Sequence, residues 1–145
     1  MFAFFSFSQT STQSASKSNV RKTESSYYDS NGKRQGTARI DKDTKTYFDK
    51  NGNRTGTAKT DSNGNKTYYD RNGSRQGTTS VRNGTESHYD KNGQRTGTTK
   101  VDANGNKTHY DKNGRKTGTT KVDANGNKTH YDSNGRKTGT TKESK

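Results

Sequence analysis

The side chains with chemical reach in this chain are aromatic rings and cations, and they recur at a fixed spacing. Tyr69, Tyr89, Tyr110 and Tyr131 each precede an Asp, and Tyr68, His88, His109 and His130 stand one residue earlier. Arg39, Lys59, Lys100 and Lys121 recur on the same interval. Rings beside cations can stack on sugars or bases and attract anions. Covalent chemistry needs other groupings. The sequence has no nucleophile–base pair, no phosphate loop following a strand and no cluster of carboxylates, so it offers no catalytic residues and no cofactor site. The Asp-x-Asn-Gly blocks lack the downstream acid that a calcium loop needs. His88, His109 and His130 fall on equivalent strands about 9.5 Å apart, too far to share a metal ion.

The interval belongs to a repeat. A ring followed by Asp-x-Asn-Gly occurs six times, at Tyr28–Gly32, Phe48–Gly52, Tyr69–Gly73, Tyr89–Gly93, Tyr110–Gly114 and Tyr131–Gly135, with a period of 20 or 21 residues. A unit this short cannot bury a face alone, so order must come from its neighbours. The hydrophobic fraction is 17%, Leu is absent and the net charge is +14. Composition alone therefore reads as a disordered chain. The register of the rings argues for a folded array instead, held by main-chain pairing and ring-on-ring contact.

Each Asp-x-Asn-Gly block suits a tight hairpin, with Asp opening a type I turn and Gly taking the left-handed site. A second turn signal falls between the blocks, at Asp61–Gly64, Arg82–Gly84, Asp102–Gly105 and Asp123–Gly126, with the divergent Asp41-Lys42-Asp43 at the matching place in the first unit. Two turns per period leave two strands. Along the shorter strand a period of two puts Tyr69, Tyr89, Tyr110 and Tyr131 on one face and Tyr68, His88, His109 and His130 on the other. Along the longer strand Ile40, Val81, Val101 and Val122 share a face with Ala38, Thr79, Thr99 and Thr120, opposite Arg39, Lys59, Lys100 and Lys121. Gly36, Gly56, Gly77, Gly97, Gly118 and Gly139 each stand four residues after a turn glycine, which marks a bend, bulge or close backbone approach. The expected fold is all-β: tandem β-hairpin repeats of about 21 residues over 27–145, forming an elongated β-solenoid or a twisted single-layer meander.

Residues 1–26 read as a flexible arm or the remnant of a signal peptide, since Met1–Phe7 is apolar and Ser/Thr/Gln-rich sequence follows. That apolar run is well short of the ~20 residues of a membrane span.

The segment Thr55–Gly73, with Gly56, Asn63-Gly64, Tyr68-Tyr69-Asp70 and Gly73 in order, resembles the short hairpin repeats of cell-wall and glucan-binding modules. That resemblance implies hairpins stacked into a solenoid, with aromatics of adjacent units cradling choline or sugar. The absence of Trp departs from its pattern. A weaker similarity, over Tyr110–Arg115 and on to Tyr131-Asp132, is to the Tyr-Asp repeats of Rhs-type proteins, which wrap into β-shells; Lys116 departs from that pattern.

The functional expectation is a secreted, non-enzymatic protein, extracellular, at the cell surface or periplasmic. It would bind an anionic polysaccharide or other polyanion through Tyr68, Tyr69, Tyr89, His109, Tyr110, His130, Tyr131, Arg39, Lys59, Lys100 and Lys121. Nucleic acid fits the same charge. The alternative is a structural subunit of an extracellular fibre that self-associates through β-strand contacts.

Overall fold

The computed structural model describes residues 23–144. Twelve antiparallel strands follow one another: β1 (Thr23–Asp29), β2 (Arg34–Asp41), β3 (Thr44–Asp49), β4 (Arg54–Thr60), β5 (Lys66–Asp70), β6 (Arg75–Arg82), β7 (Thr85–Asp90), β8 (Arg95–Val101), β9 (Lys107–Asp111), β10 (Lys116–Val122), β11 (Lys128–Asp132) and β12 (Lys137–Glu143). The two-strand unit is thus present six times, as a short strand followed by a long one. Each strand pairs with its sequence neighbours, and β1 pairs with β12, so the sheet closes into a barrel. This corrects the expectation of an open solenoid or meander. β1 starts at Thr23, within the stretch read as an arm, and residues 1–22 lie outside the described part.

The turns form as the Asp-x-Asn-Gly chemistry dictates. In the fifth unit Asp111 Oδ1 accepts the amides of Asn113 at 2.8 Å and Arg115 at 2.9 Å, while Gly114 N donates to Asp111 O at 3.1 Å. Gly114 sits at φ 80, a left-handed conformation that suits glycine. At the opposite rim, the β2–β3 and β6–β7 links are tighter, placing Lys42 at φ 55 and Asn83 at φ 49. Their flanking strands are each one residue longer in compensation, with eight residues in β2 and β6 and six in β3 and β7.

Neighbouring units are stitched at that rim. The amides of Val81, Val122 and Glu143 donate to the side-chain oxygens of Asn65, Asn106 and Asn127, at 2.9, 3.0 and 3.3 Å. Thr60 and Val101 donate instead to the backbone oxygens of Asp43 and Gly84. Each turn therefore holds the strand that follows it by one unit. The ring is completed where Ser144 N donates to Glu24 O and Ser25 Oγ donates to the Glu143 carboxylate.

One face of the sheet is buried and forms the inside of the barrel. Ser25, Ala38, Ala58, Thr79, Thr99, Thr120 and Thr141 are at most 4% exposed. Lys45 on β3 pairs with Ala58 and Lys128 on β11 pairs with Thr141, so both lysines share this buried face and point inward. No leucine core fills this space; among the described residues the two buried hydrophobic ones are alanines. The recurring strand glycines also lie on this face. A Cβ on Gly97 would stand 2.3 Å from the Tyr110 carbonyl oxygen, so β8 and β9 approach as closely as they do only because that atom is missing. The expected close backbone approach is present in every unit.

Candidate functional site

Closure sorts the candidate residues onto two surfaces that cannot meet. Tyr68, His109 and His130 face inward, whereas Tyr69, Tyr89, Tyr110, Tyr131, Arg39, Lys59, Lys100 and Lys121 face outward, as the two-residue alternation along each strand requires. They do not form one binding column.

On the outer wall five of the six long strands carry a cation diagonal to the ring of a neighbouring short strand. Lys59 Nζ lies 5.8 Å from the Tyr69 ring centroid, Lys100 lies 5.6 Å from Tyr110, and Lys121 lies 5.8 Å from Tyr131. Arg39 covers Phe48 at 5.4 Å, and Lys142 covers Tyr28 at the closing seam, also at 5.4 Å. The sixth position differs, because Ser80 stands where the other units have a base, next to the strand that carries Tyr89. The belt thus presents five ring–cation pairs over six units, neighbouring pairs about 9.5 Å apart along the wall except across the gap at Ser80. The ammonium groups keep their solvent-facing side, so anions can reach them. Lys142 and Tyr28, absent from the sequence-based set, belong to this belt; the signal for them was the match of Thr140-Thr141-Lys142 to Thr119-Thr120-Lys121.

The inner wall carries a hydrogen-bonded relay. Tyr68 Oη meets Thr79 Oγ1 at 3.2 Å, and Thr79 Oγ1 meets His88 Nδ1 at 2.9 Å. His88 Nε2 then meets Thr99 Oγ1 at 2.8 Å, and Thr99 meets His109 Nδ1 at 2.9 Å. His109 Nε2 and His130 Nδ1 both reach Thr120 Oγ1 at 3.0 Å, and His130 Nε2 ends the series on Thr141 Oγ1 at 2.9 Å. The expectation of ring-on-ring contact is corrected here: successive rings are joined through threonine hydroxyls. The buried threonines were missed as site residues, although the pairing of Thr99 with His109 and of Thr120 with His130 follows from hairpin register. A neutral imidazole donates once and accepts once, as does each bridging hydroxyl, so the relay can run head to tail. Burial holds all three imidazoles below the usual histidine pKa and keeps them in that neutral form. Among the described residues no group of His, Cys, Asp and Glu is arranged to hold a metal ion.

Next to the relay, toward the rim with the stitched turns, the inner wall is charged. Lys107 Nζ bonds Glu86 Oε1 at 2.8 Å and Lys128 Nζ bonds Glu143 Oε1 at 2.7 Å. Burial acts to raise both carboxyls, but the lysine bonds and charges outweigh it and hold them below the usual range. Lys45 and Lys66 occupy the equivalent positions in the second and third units.

No protein-family model matches the chain, and no curated protein sequence matches it. Among solved structures it is similar to a mutant of TarM from S. aureus in complex with fondaparinux, alpha-GlcNAc-glycerol and UDP, at 13% identity and TM-score 0.26, covering 71% of this chain and 21% of that one. It is also similar to alternansucrase in complex with isomaltononaose, at 25% identity and TM-score 0.23, covering 74% of this chain and 8% of that one. The chain therefore spans a small part of either structure, and similarity at these scores carries no argument about activity.

Proposed function

We propose that this protein is a secreted, non-enzymatic binding module that docks its outer wall on an anionic cell-surface polymer, a polysaccharide above all. The observation that carries this reading is the belt of ring–cation pairs at 5.4–5.8 Å, repeated from unit to unit in a chain of net charge +14. Like contacts repeated at a regular interval over five of six units suit a ligand that is itself periodic, because each additional unit engaged adds to avidity. Charge supplies attraction and the ring face supplies a stacking surface. Lysine and arginine at mid-strand on the outside are unlike the apolar band of a membrane-spanning barrel.

The test is a binding panel of acidic polysaccharides, neutral polysaccharides and DNA at two salt concentrations, with Lys121→Ala and Tyr110→Ala alongside. The acidic polysaccharides should bind, weaken steeply with salt, and lose affinity about 3–10-fold with either variant. Binding of DNA alone would transfer the belt to nucleic acid, and binding of no polymer would remove the reading. The fibre alternative is disfavoured by one feature: β1 pairs with β12, so the described sheet leaves no unpaired edge strand to recruit another copy. Monomeric sedimentation over a wide concentration range is the corresponding expectation.

A further inference from the structure

The relay stops at Tyr68, and a cavity begins there. The four later units carry a buried Thr at this position, and Thr79, Thr99 and Thr120 each bridge two successive rings, but the first two units have Ala38 and Ala58 there. Ala58 lies between Tyr47 and Tyr68 in the sheet, paired with Tyr68 on one side and adjacent on the same face to Gly56, the partner of Tyr47. No hydroxyl joins the two rings. The space opens into a cavity of about 590 Å³ lined by Ile40, Lys45, Tyr47, Ala58, Lys66 and Tyr68, with Lys42, Asp43 and Asp61 at its mouth. That volume is within the range of small-molecule sites.

The charge of the inner wall is unbalanced at the same place. Among the described residues four inward lysines accompany two inward glutamates, and the two short ion pairs engage Lys107 and Lys128. Lys45 and Lys66, which line the cavity, form no ion pair among the described residues. Lys45 Nζ lies 5.6 Å from both the Tyr27 and Tyr47 ring centroids, so its contacts are aromatic faces. Burial lowers its pKa and the Glu143 carboxylate offsets only part of that, a cost that an anion in direct contact would relieve. At the mouth the Asp61 carboxylate is occupied in its own turn by Asn63 and Asn65. The Tyr47 phenol is pushed up to about 12 by burial and remains a donor at neutral pH.

We propose that this cavity binds a small molecule combining one oxyanion with a sugar-sized ring, the oxyanion between Lys45 and Lys66 and the ring between Tyr47 and Tyr68. Sugar acids and sugar phosphates share that chemistry. The site is separate from the outer belt and stands or falls independently of it.

Calorimetric titration of the full chain at low salt with glucuronate, glucose 6-phosphate, glucose and inorganic phosphate tests it. One or both sugar anions should bind with Kd in the range of about 0.1–5 mM, which of the two binds better deciding between carboxylate and phosphate. Glucose should not bind, and inorganic phosphate should bind at least fivefold more weakly than the better sugar anion. Lys45→Met and Lys66→Met should each weaken binding about tenfold, whereas Lys91→Met, in an exposed turn at the opposite rim, should leave it unchanged. Ala58→Thr puts between Tyr47 and Tyr68 the hydroxyl that the later units carry at the same place, narrowing the gap between the two rings, and should weaken binding about tenfold while the urea midpoint is kept. Failure of both sugar anions to bind, equal binding of glucose, phosphate binding as tight as the sugar anions, or an Ala58→Thr variant that folds and binds normally would each overturn the proposal.

Discussion

Alanine at Gly97 and alanine at Gly93 test why this fold uses glycine, because the two positions are four residues apart and need it for different reasons. At Gly97 the added methyl would lie 2.3 Å from the Tyr110 carbonyl oxygen, about 1 Å short of ordinary contact, and the obstacle is backbone. Relief requires β8 and β9 to separate. Overpacking of this kind costs about 1–3 kcal/mol, and each weakened ladder hydrogen bond adds about 1 kcal/mol. The sum is about 3 kcal/mol, a shift of about 1.5 M in urea midpoint at an m-value of about 2 kcal/mol/M. At Gly93 no atom lies within 4 Å of the added methyl, and only φ 81 is unfavourable. That costs about 1 kcal/mol, or about 0.5 M. Urea unfolding followed by far-ultraviolet circular dichroism compares Gly97→Ala, Gly93→Ala and the parent chain. A Gly97→Ala midpoint equal to or above that of Gly93→Ala would refute the close approach of strands on which the barrel geometry rests.

Acid should weaken the fold before the carboxylates titrate. His88, His109 and His130 have folded pKa values below the ordinary 6.5, so between the folded and unfolded values the unfolded chain binds more protons and stability falls as pH drops. The urea midpoint should therefore decline from pH 7 to pH 5, and replacing the three histidines by the Tyr found at the same place in the earlier units should flatten the decline; a pH-independent midpoint in the parent chain would count against the inner relay. Thr99→Val removes the hydroxyl between His88 and His109 at nearly constant shape and should cost about 1–2 kcal/mol, against nearly zero for Thr98→Val on the outer wall. Equal midpoints for the two variants would contradict the assignment of faces. The amides of Lys107–Tyr110 and Thr119–Val122 should exchange with solvent far more slowly than in a free peptide, measured by NMR, and free-peptide rates would exclude the paired ladder.

The local structure was legible because its determinants are local. Asp111 and Gly114 specify their turn, alternation separates Tyr110 from His109, and Gly97 betrays a crowded backbone. Closure was not legible, since it depends on twist accumulated over twelve strands and on contacts between residues more than a hundred positions apart. Its few sequence traces are small. Glu143 replaces the Val seen at 101 and 122, and there it meets Ser25 across the seam and Lys128 on the neighbouring β11. Glu24-Ser25-Ser26, read as arm, leads into Tyr27-Tyr28-Asp29 as Thr85-Glu86-Ser87 leads into His88-Tyr89-Asp90 of β7. The candidate site was legible as residue types but not as one surface. Lys45 and Lys66 were passed over because a lysine two residues before a ring looks like ordinary surface until the wall is known to curve it inward.

The seam between β1 and β12 also sets how such a gene can vary. In an open array, slippage that gains or loses one copy of the 21-residue segment lengthens or shortens a rod and leaves the remaining copies as they were. Here the same event would alter the circumference and hence the bore, moving every inward side chain relative to the one across from it. Copy number is therefore a geometric property of this protein rather than a neutral length polymorphism.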